Sequence, residues 1–142
     1  MKVEVLCTTD DPLDSLEHHK KISQGSLSTK VLPSFRPDKV YLIESPDFTS
    51  YLLDLSKVTN REITKLHQLM ESLEKRIEFF HLQGCRVSDF GLASLKVEDF
   101  TENDVDAIIK KRLDNKVLSP LEIKQYRSCL LLSLGKMYHN KG

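Results

Sequence analysis

Short apolar runs rich in β-branched residues alternate along this chain with longer stretches in which apolar residues recur every three or four positions. Three of the short runs predict strands, at 3–7, 29–32 and, interrupted by Arg86, 85–88. Because helical stretches separate these runs, the strands should pair in parallel through right-handed crossovers. The pattern therefore predicts an α/β fold with about three parallel strands and several helices.

Capping residues mark where the predicted helices begin. Five starts are indicated, at Asp11, Ser45, Thr59, Thr101 and Ser119. The strongest is the pair formed by Thr59 and Glu62, whose side chains have the spacing of a capping box. A single apolar stripe follows it until Gly84, a typical residue just beyond a helix end.

Composition indicates one domain, spanning residues 1–142. Lys plus Arg and Asp plus Glu both number 21, a balance that argues against nucleic acid or an anionic membrane as partner. The chain has no apolar window near the ~18 residues of a membrane span and no secretory signal, so a cytoplasmic location is predicted. Its three cysteines are widely spaced, which favours reduced thiols over disulfides.

Each predicted strand is followed by a polar cluster, at 8–12, 34–38 and 88–91. The C-terminal ends of parallel strands lie along one edge of a sheet, which is where α/β proteins build their active sites. We therefore expect the three clusters to lie close together. A sheet of only three strands leaves two edges open, so we expect the chain to be part of a larger structure.

The first cluster holds two neighbouring aspartates. Asp11 precedes Pro12, so a helix N-cap worth about 1 kcal/mol explains it as well as a functional role does. Asp10 is less easily explained by capping. Its carboxylate could orient a neighbouring group, bind a substrate hydroxyl or hydrogen-bond to a residue that ligates a metal. The sequence leaves these alternatives open.

The other two clusters supply an arginine and a third carboxylate. Arg36 could form a surface ion pair with Asp38 or bind a substrate carboxylate with both arms of its guanidinium group, and both readings have equal weight. Asp89 could belong to a simple turn before Gly91, or it could lie with Arg36 on the rim, the edge of the sheet at which the predicted strands end. Local reasoning alone favours the turn.

The histidines give no metal signature. His18 and His19 lie among charged residues of a predicted helix and point about 100° apart, so we expect both on its solvated surface. The remaining histidines lack a partner at metal-binding spacing; they are His67, His81 and His139. The chain has no glycine-rich phosphate loop and no paired cysteine motif. We expect no metal site within this chain.

Three segments, at 3–19, 32–38 and 84–89, closely resemble the uronate isomerase family in order and spacing. The resemblance implies a divergent (β/α)₈ barrel of the amidohydrolase superfamily. It also implies the activity of that family, which interconverts glucuronate with fructuronate and galacturonate with tagaturonate. The family chain is much longer, so the resemblance implies a partial TIM-barrel segment that corresponds to an internal portion of it.

The resemblance also assigns roles to the polar clusters. Arg36 matches the arginine of the family's Ser-Trp-Arg-Pro-Asp run and is implied to bind the uronate substrate. Asp89 matches the aspartate of its Ser-Asp-His pattern and is implied to be catalytic, holding hydroxyls or moving protons. Asp10 and Asp11 match its Thr-Thr-Asp-Asp-Pro run, and we expect them to shape the strand end first and to bind substrate second.

This chain departs from the family pattern at two positions. Phe35 stands where the family has tryptophan, and Phe90 stands where it typically has histidine. The family's His-x-His motif lies outside this segment, so a divalent metal such as zinc would be a cofactor of the complete protein. We therefore expect the chain alone to be inactive.

Two alternatives to the isomerase interpretation stay open. One is a non-catalytic remnant or module that forms a homo-oligomer through its exposed sheet edges. The other is a small stand-alone enzyme that uses Asp10, Arg36 and Asp89 without a metal.

Overall fold

The computed structural model describes residues 2–92 and 96–141, which form two strands and six helices. The strands pair in parallel, with Val5 opposite Lys30, and this confirms the predicted fold class. In chain order the elements are β1 (Val5–Cys7), α1 (Glu17–Ser23), β2 (Lys30–Leu32), α2 (Asp38–Tyr41), α3 (Phe48–Thr59), α4 (Leu66–Leu82), α5 (Glu102–Leu113) and α6 (Pro120–Lys141).

The third predicted strand is reduced to a single parallel bridge between Phe35 and Ser88. The Phe35 N–H donates to the Val87 carbonyl at 3.1 Å, and the Asp89 N–H donates to the Phe35 carbonyl at 3.3 Å. The ladder does not extend to the residues before Phe35, because Pro33 has no N–H to donate to the neighbouring segment. A further bridge joins Asp10 to Phe35, so the three segments run side by side where they end.

Helix α1 begins later than predicted, at Glu17 rather than beside Asp11. The Asp11 carboxylate accepts the Leu13 N–H at 3.0 Å, and the Asp14 carboxylate accepts the Leu16 N–H at 2.6 Å. These side chains satisfy the backbone in two successive turns instead of starting a helix. Leu16 then adopts a left-handed conformation with φ of 54° immediately before the helix.

The predicted capping box at Thr59 is wrong, because Thr59 is the last residue of α3. Its hydroxyl donates to the Leu55 carbonyl one turn earlier at 2.7 Å, and Asn60 closes the helix in a left-handed conformation with φ of 51°. Helix α4 starts at Leu66, where the side-chain oxygen of Gln68 accepts the Lys65 N–H at 3.0 Å.

Two other predicted helix starts are confirmed by reciprocal capping. The Asp104 N–H donates to the Thr101 hydroxyl at 3.2 Å, and the Asp104 carboxylate accepts the Thr101 N–H at 2.9 Å. Ser119 and Glu122 make the same exchange, with distances of 2.6 Å and 3.2 Å. In both cases the signal is local, so no distant contact is needed to define the helix start.

The core lies between the helices rather than around the strands. Most of its fully buried aliphatic side chains come from α3 to α6, with Leu16, Val40 and Ile43 added from the segments before α3. Those from the four helices include Leu52, Leu55, Leu69, Leu73, Ile109, Leu130 and Leu134. The apolar side chains of β1 are exposed, at 52% for Val5 and 51% for Leu6, although an apolar run of this kind is typical of a buried strand. In the described residues β1 pairs only with β2, which leaves its other edge open. None of the described helices is long and apolar enough to span a membrane.

Candidate functional site

Alternating side chains at the strand ends point to opposite sides of the sheet. On one side Phe35 packs edge-on against Phe80 of α4 and Tyr138 of α6, with ring centroids 5.1 Å and 6.3 Å away. Because successive residues of an extended segment face opposite ways, Ser34 and Arg36 face away from these helices. The side opposite the helices therefore receives the polar side chains of the second cluster.

Arg36 and Asp89 form an ion pair on that side. The Arg36 Nε donates to Asp89 Oδ2 at 2.7 Å, and its Nη2 contacts the same oxygen. Ser34 Oγ donates to the other carboxylate oxygen of Asp89 at 2.7 Å. Asp38 lies farther from the Arg36 Nε, at 3.7 Å. The structure thus brings Arg36 and Asp89 together. The sequence had also allowed a surface ion pair with Asp38 for Arg36 and a simple turn for Asp89.

The environment of Asp89 favours its ionised form. Partial burial raises the pKa of this carboxyl, but the Ser34 hydroxyl and the Arg36 guanidinium outweigh it and hold the pKa below its usual value. The side chains of Arg36 and Asp89 are 40% and 39% exposed, so both can reach a ligand. The pair can offer N–H donors and a carboxylate acceptor to one polar molecule.

Asp10 is buried and bonded to protein groups. Its Oδ2 accepts the Thr8 hydroxyl at 2.6 Å and the Ser34 N–H at 3.1 Å. Its backbone continues the ladder, because the Asp10 N–H donates to the Ser34 carbonyl and its carbonyl accepts the Arg36 N–H. These bonds join the ends of the first two segments.

Asp11 joins the same strand end to the helices. Its Oδ1 accepts the Tyr51 hydroxyl of α3 at 2.9 Å, and its Oδ2 lies 3.2 Å from the Lys39 ammonium of α2. Burial, with Asp11 adding to it, raises the pKa of Tyr51 well above its usual value, so the phenol stays a donor. The Asp11 carboxylate thus fixes the turn after β1 relative to α2 and α3.

His19 is the residue that sequence reasoning placed wrongly. Its side chain is only 11% exposed, and its Nε2 lies 2.7 Å from the Thr8 hydroxyl and 3.8 Å from Asp10 Oδ2. His18 is 80% exposed, as expected. The available signal was position, because His19 follows the apolar Leu16 by three residues and so shares its helix face.

Arg76 is a second residue that sequence reasoning missed. This buried arginine of α4 donates from Nε to the Pro12 carbonyl at 2.6 Å and from Nη2 to the Asp14 carbonyl at 2.8 Å. Its guanidinium also lies 4.2 Å from the centroid of the Phe79 ring. Arg76 therefore holds the turn that follows the aspartate pair, and only its place beside the apolar stripe of α4 hinted at burial.

The described residues do not fit a metal site. None of their His, Cys, Asp and Glu side chains form a group of three placed to hold an ion. The nearest arrangement is the pair of His19 Nε2 and Asp10 Oδ2, and both atoms already bond to Thr8. Zinc takes at least three protein ligands, so this pair cannot hold it by itself.

Comparison with known proteins adds the family. The sequence model of the glucuronate isomerase family matches residues 1–142, and the chain belongs to that family. It is 40% identical over 142 residues to the uronate isomerase of Flavobacterium johnsoniae and 42% identical over 141 residues to that of Lachnoclostridium phytofermentans. These matches cover 100% and 99% of this chain but 30% of each relative.

Solved structures agree with the fold. The uronate isomerase of Thermotoga maritima superposes with a TM-score of 0.95 and 31% identity, over 98% of this chain and 31% of that chain. The glucuronate isomerase of Caulobacter crescentus gives a TM-score of 0.83 at 23% identity, a likeness of fold over 94% of this chain and 28% of that chain. The chain thus spans about 30% of its relatives, and the predicted partial barrel is confirmed.

Proposed function

We propose that this chain supplies part of the sugar-acid site of a uronate isomerase. The reaction would interconvert glucuronate with fructuronate and galacturonate with tagaturonate, the substrates implied by the sequence resemblance. The observation that carries the proposal is the Arg36–Asp89 pair, which stands at the ends of adjacent parallel segments on the side opposite the helices. Family membership over the whole chain supports it.

Arg36 is proposed to bind the uronate. An arginine has five N–H donors in a fixed plane, and this geometry suits the oxygens of a carboxylate or of neighbouring hydroxyls. Asp89 takes up the Nε edge of the guanidinium and so fixes its orientation, while the side chain as a whole stays partly exposed. A pre-oriented guanidinium loses little side-chain freedom when the ligand binds.

Asp89 is proposed to act on the sugar hydroxyls. An aldose–ketose shift moves hydrogen between neighbouring carbons and protons between their oxygens, and it therefore needs a group that accepts or relays a proton. The lowered pKa of Asp89 favours a carboxylate that accepts hydrogen bonds from such hydroxyls. Asp10 and Asp11, the other two candidates, bond to protein groups and are less exposed than Asp89, at 9% and 26% against 39%, which supports a shaping role for both.

We place the metal ligands of the complete isomerase outside the described residues. The expected divalent metal, such as zinc, needs more donors than the pair of His19 and Asp10 offers. We also propose a cytoplasmic location, which agrees with three unpaired thiols at Cys7, Cys85 and Cys129.

A graft tests the proposal. The segment of the Flavobacterium johnsoniae uronate isomerase that aligns with residues 1–142 is replaced by this chain, which is 40% identical to it. We expect the grafted isomerase to convert glucuronate in a coupled assay, and the chain alone to show no turnover. An inactive but folded graft would contradict the proposal, and turnover by the chain alone would refute the need for the rest of the barrel.

A second candidate function is self-association, favoured by the exposed apolar edge of the sheet. Val5 of β1 is half exposed, and unpaired strand edges readily accept another strand. Under this alternative the chain sediments as a dimer that Val5→Lys dissociates. Val58→Lys, on the exposed face of α3, is the matched control and should leave the dimer intact. A monomer at all concentrations would rule the alternative out.

A further inference from the structure

We infer that Asp10 is a positioning residue for the Arg36–Asp89 pair and that Thr8 and His19 orient it. The role for the substrate site rests on the proposed function, whereas the hydrogen-bond network itself does not. Neither Thr8 nor His19 belongs to the pair proposed to meet the uronate. The inference follows from hydrogen bonds between four pairs of residues. These pairs are His19 and Thr8, Thr8 and Asp10, Asp10 and Ser34, and Asp10 and Arg36.

Asp10 holds the chain on both sides of Phe35. Its N–H donates to the Ser34 carbonyl at 3.0 Å, and its carbonyl accepts the Arg36 N–H at 2.9 Å. Its side chain adds a third bond by accepting the Ser34 N–H at 3.1 Å. Ser34 and Arg36 are the two residues whose side chains bind Asp89, so Asp10 fixes the backbone from which both reach it.

The Thr8 hydroxyl determines the direction of the next link. A hydroxyl has one proton, and an ionised carboxylate can only accept. The oxygen of Thr8 lies 2.6 Å from Asp10 Oδ2 and 3.3 Å from the Leu32 carbonyl, so its proton goes to the nearer, charged acceptor. The contact of 2.7 Å with His19 must then be a hydrogen bond that Thr8 accepts.

His19 therefore carries a proton on Nε2. A neutral imidazole has one N–H, and the requirement of Thr8 places it on the nitrogen that faces the hydroxyl. The imidazole lies between α1 and the end of β1 with little exposure, which limits its rotation. Thus α1 is linked to Asp10 through Thr8, and Asp10 is linked to the rim through Ser34 and Arg36.

Geometry, not charge, is what Asp10 contributes under this inference. Asparagine keeps a side-chain oxygen that can accept from both Thr8 and Ser34, whereas alanine keeps neither bond. Asp10→Asn should therefore preserve the rim and Asp10→Ala should disturb it. A direct role of the Asp10 carboxylate in binding substrate predicts that both variants fail alike.

Nuclear magnetic resonance on the 142-residue chain tests the network without any activity. We expect the His19 ring proton on Nε2, exchanging slowly with water, and faster exchange in Thr8→Val but not in Thr8→Ser. We also expect Asp10→Ala to raise the pKa of Asp89 and Asp10→Asn to leave it unchanged. A neutral His19 protonated on Nδ1, or an unchanged Asp89 pKa in a folded Asp10→Ala, would overturn the inference.

The grafted isomerase tests the consequence for the substrate site. His19→Leu should lower kcat/KM roughly ten-fold because the rim residues shift, and His19→Gln should restore most of it because its amide N–H can donate to Thr8. His18→Leu is the matched control on the exposed neighbour and should have no effect. Equal kinetics for His19→Leu and His18→Leu would overturn the positioning role. If the unsubstituted graft is inactive, the proposed function fails and the resonance experiment alone decides the network.

Discussion

Replacing the buried Arg76 with methionine should destabilise the chain by about 3 kcal/mol. The methionine keeps an unbranched apolar stem and a favourable sulfur contact with Phe79, but it removes both hydrogen bonds to the loop carbonyls. A hydrogen bond from a charged group contributes roughly 1.5 to 3 kcal/mol. Arg76 is buried, and the cost of desolvating its charge, which also lowers its pKa, offsets part of each bond, so the lower value applies to each of the two bonds.

Urea unfolding followed by circular dichroism measures this loss. In thermal unfolding, a change of about 3 kcal/mol corresponds to a fall in melting temperature of roughly 6–12 °C for a domain of this size. The control is Arg61→Met, since Arg61 is half exposed and pairs with Glu71 at the surface, where an ion pair contributes less than about 1 kcal/mol. The assignment of Arg76 as the support of the loop at Pro12 and Asp14 would be refuted if Arg76→Met had the same free energy of unfolding as the control and the same slope against urea concentration.

Two further predictions concern ionisation. Hydrogen bonds from Lys111 and the Ser119 N–H lower the pKa of Glu122 from 4.5 to about 2, so this contact stabilises the fold above pH 4.5 and is lost as the pH falls towards 2. Glu122→Gln should remove that part of the acid dependence of unfolding, and an unchanged acid profile would contradict it. Arg36→Ala should raise the pKa of Asp89 in a carboxyl-carbon resonance titration, because a cation that lowers it is gone. An unshifted titration would mean that the ion pair does not form in solution.

The elements that sequence reasoning predicted well are those whose signals are local. Thr101 and Ser119 cap their helices with residues three positions away, and the parallel pairing follows from the helices between strands. The prediction at Thr59 failed because its hydroxyl bonds back into the preceding helix. The start of α1 was misplaced because Asp11 and Asp14 satisfy neighbouring backbone groups in turns.

The candidate site was predictable where topology alone decides it. Parallel strand ends must lie side by side, and this brought Arg36 to Asp89 across more than fifty residues of sequence. The burial of His19 depends on how α1 packs against the sheet beside Thr8 and Asp10, and the charged residues that surround His19 along the chain gave no sign of this. Arg76 was missed for a different reason, because its partners are backbone carbonyls that no side-chain pattern reveals.

The most direct test of the central claim compares Arg36→Ala with Arg61→Ala in the grafted isomerase. Arg36 is proposed to bind the uronate, whereas Arg61 pairs with Glu71 on the surface. We predict that Arg36→Ala lowers kcat/KM for glucuronate by roughly a hundred-fold, about 2.7 kcal/mol, as expected for the loss of a charged contact to substrate. We predict no change for Arg61→Ala. Equal kcat/KM values for the two folded variants would contradict a role for the Arg36–Asp89 pair in the uronate site.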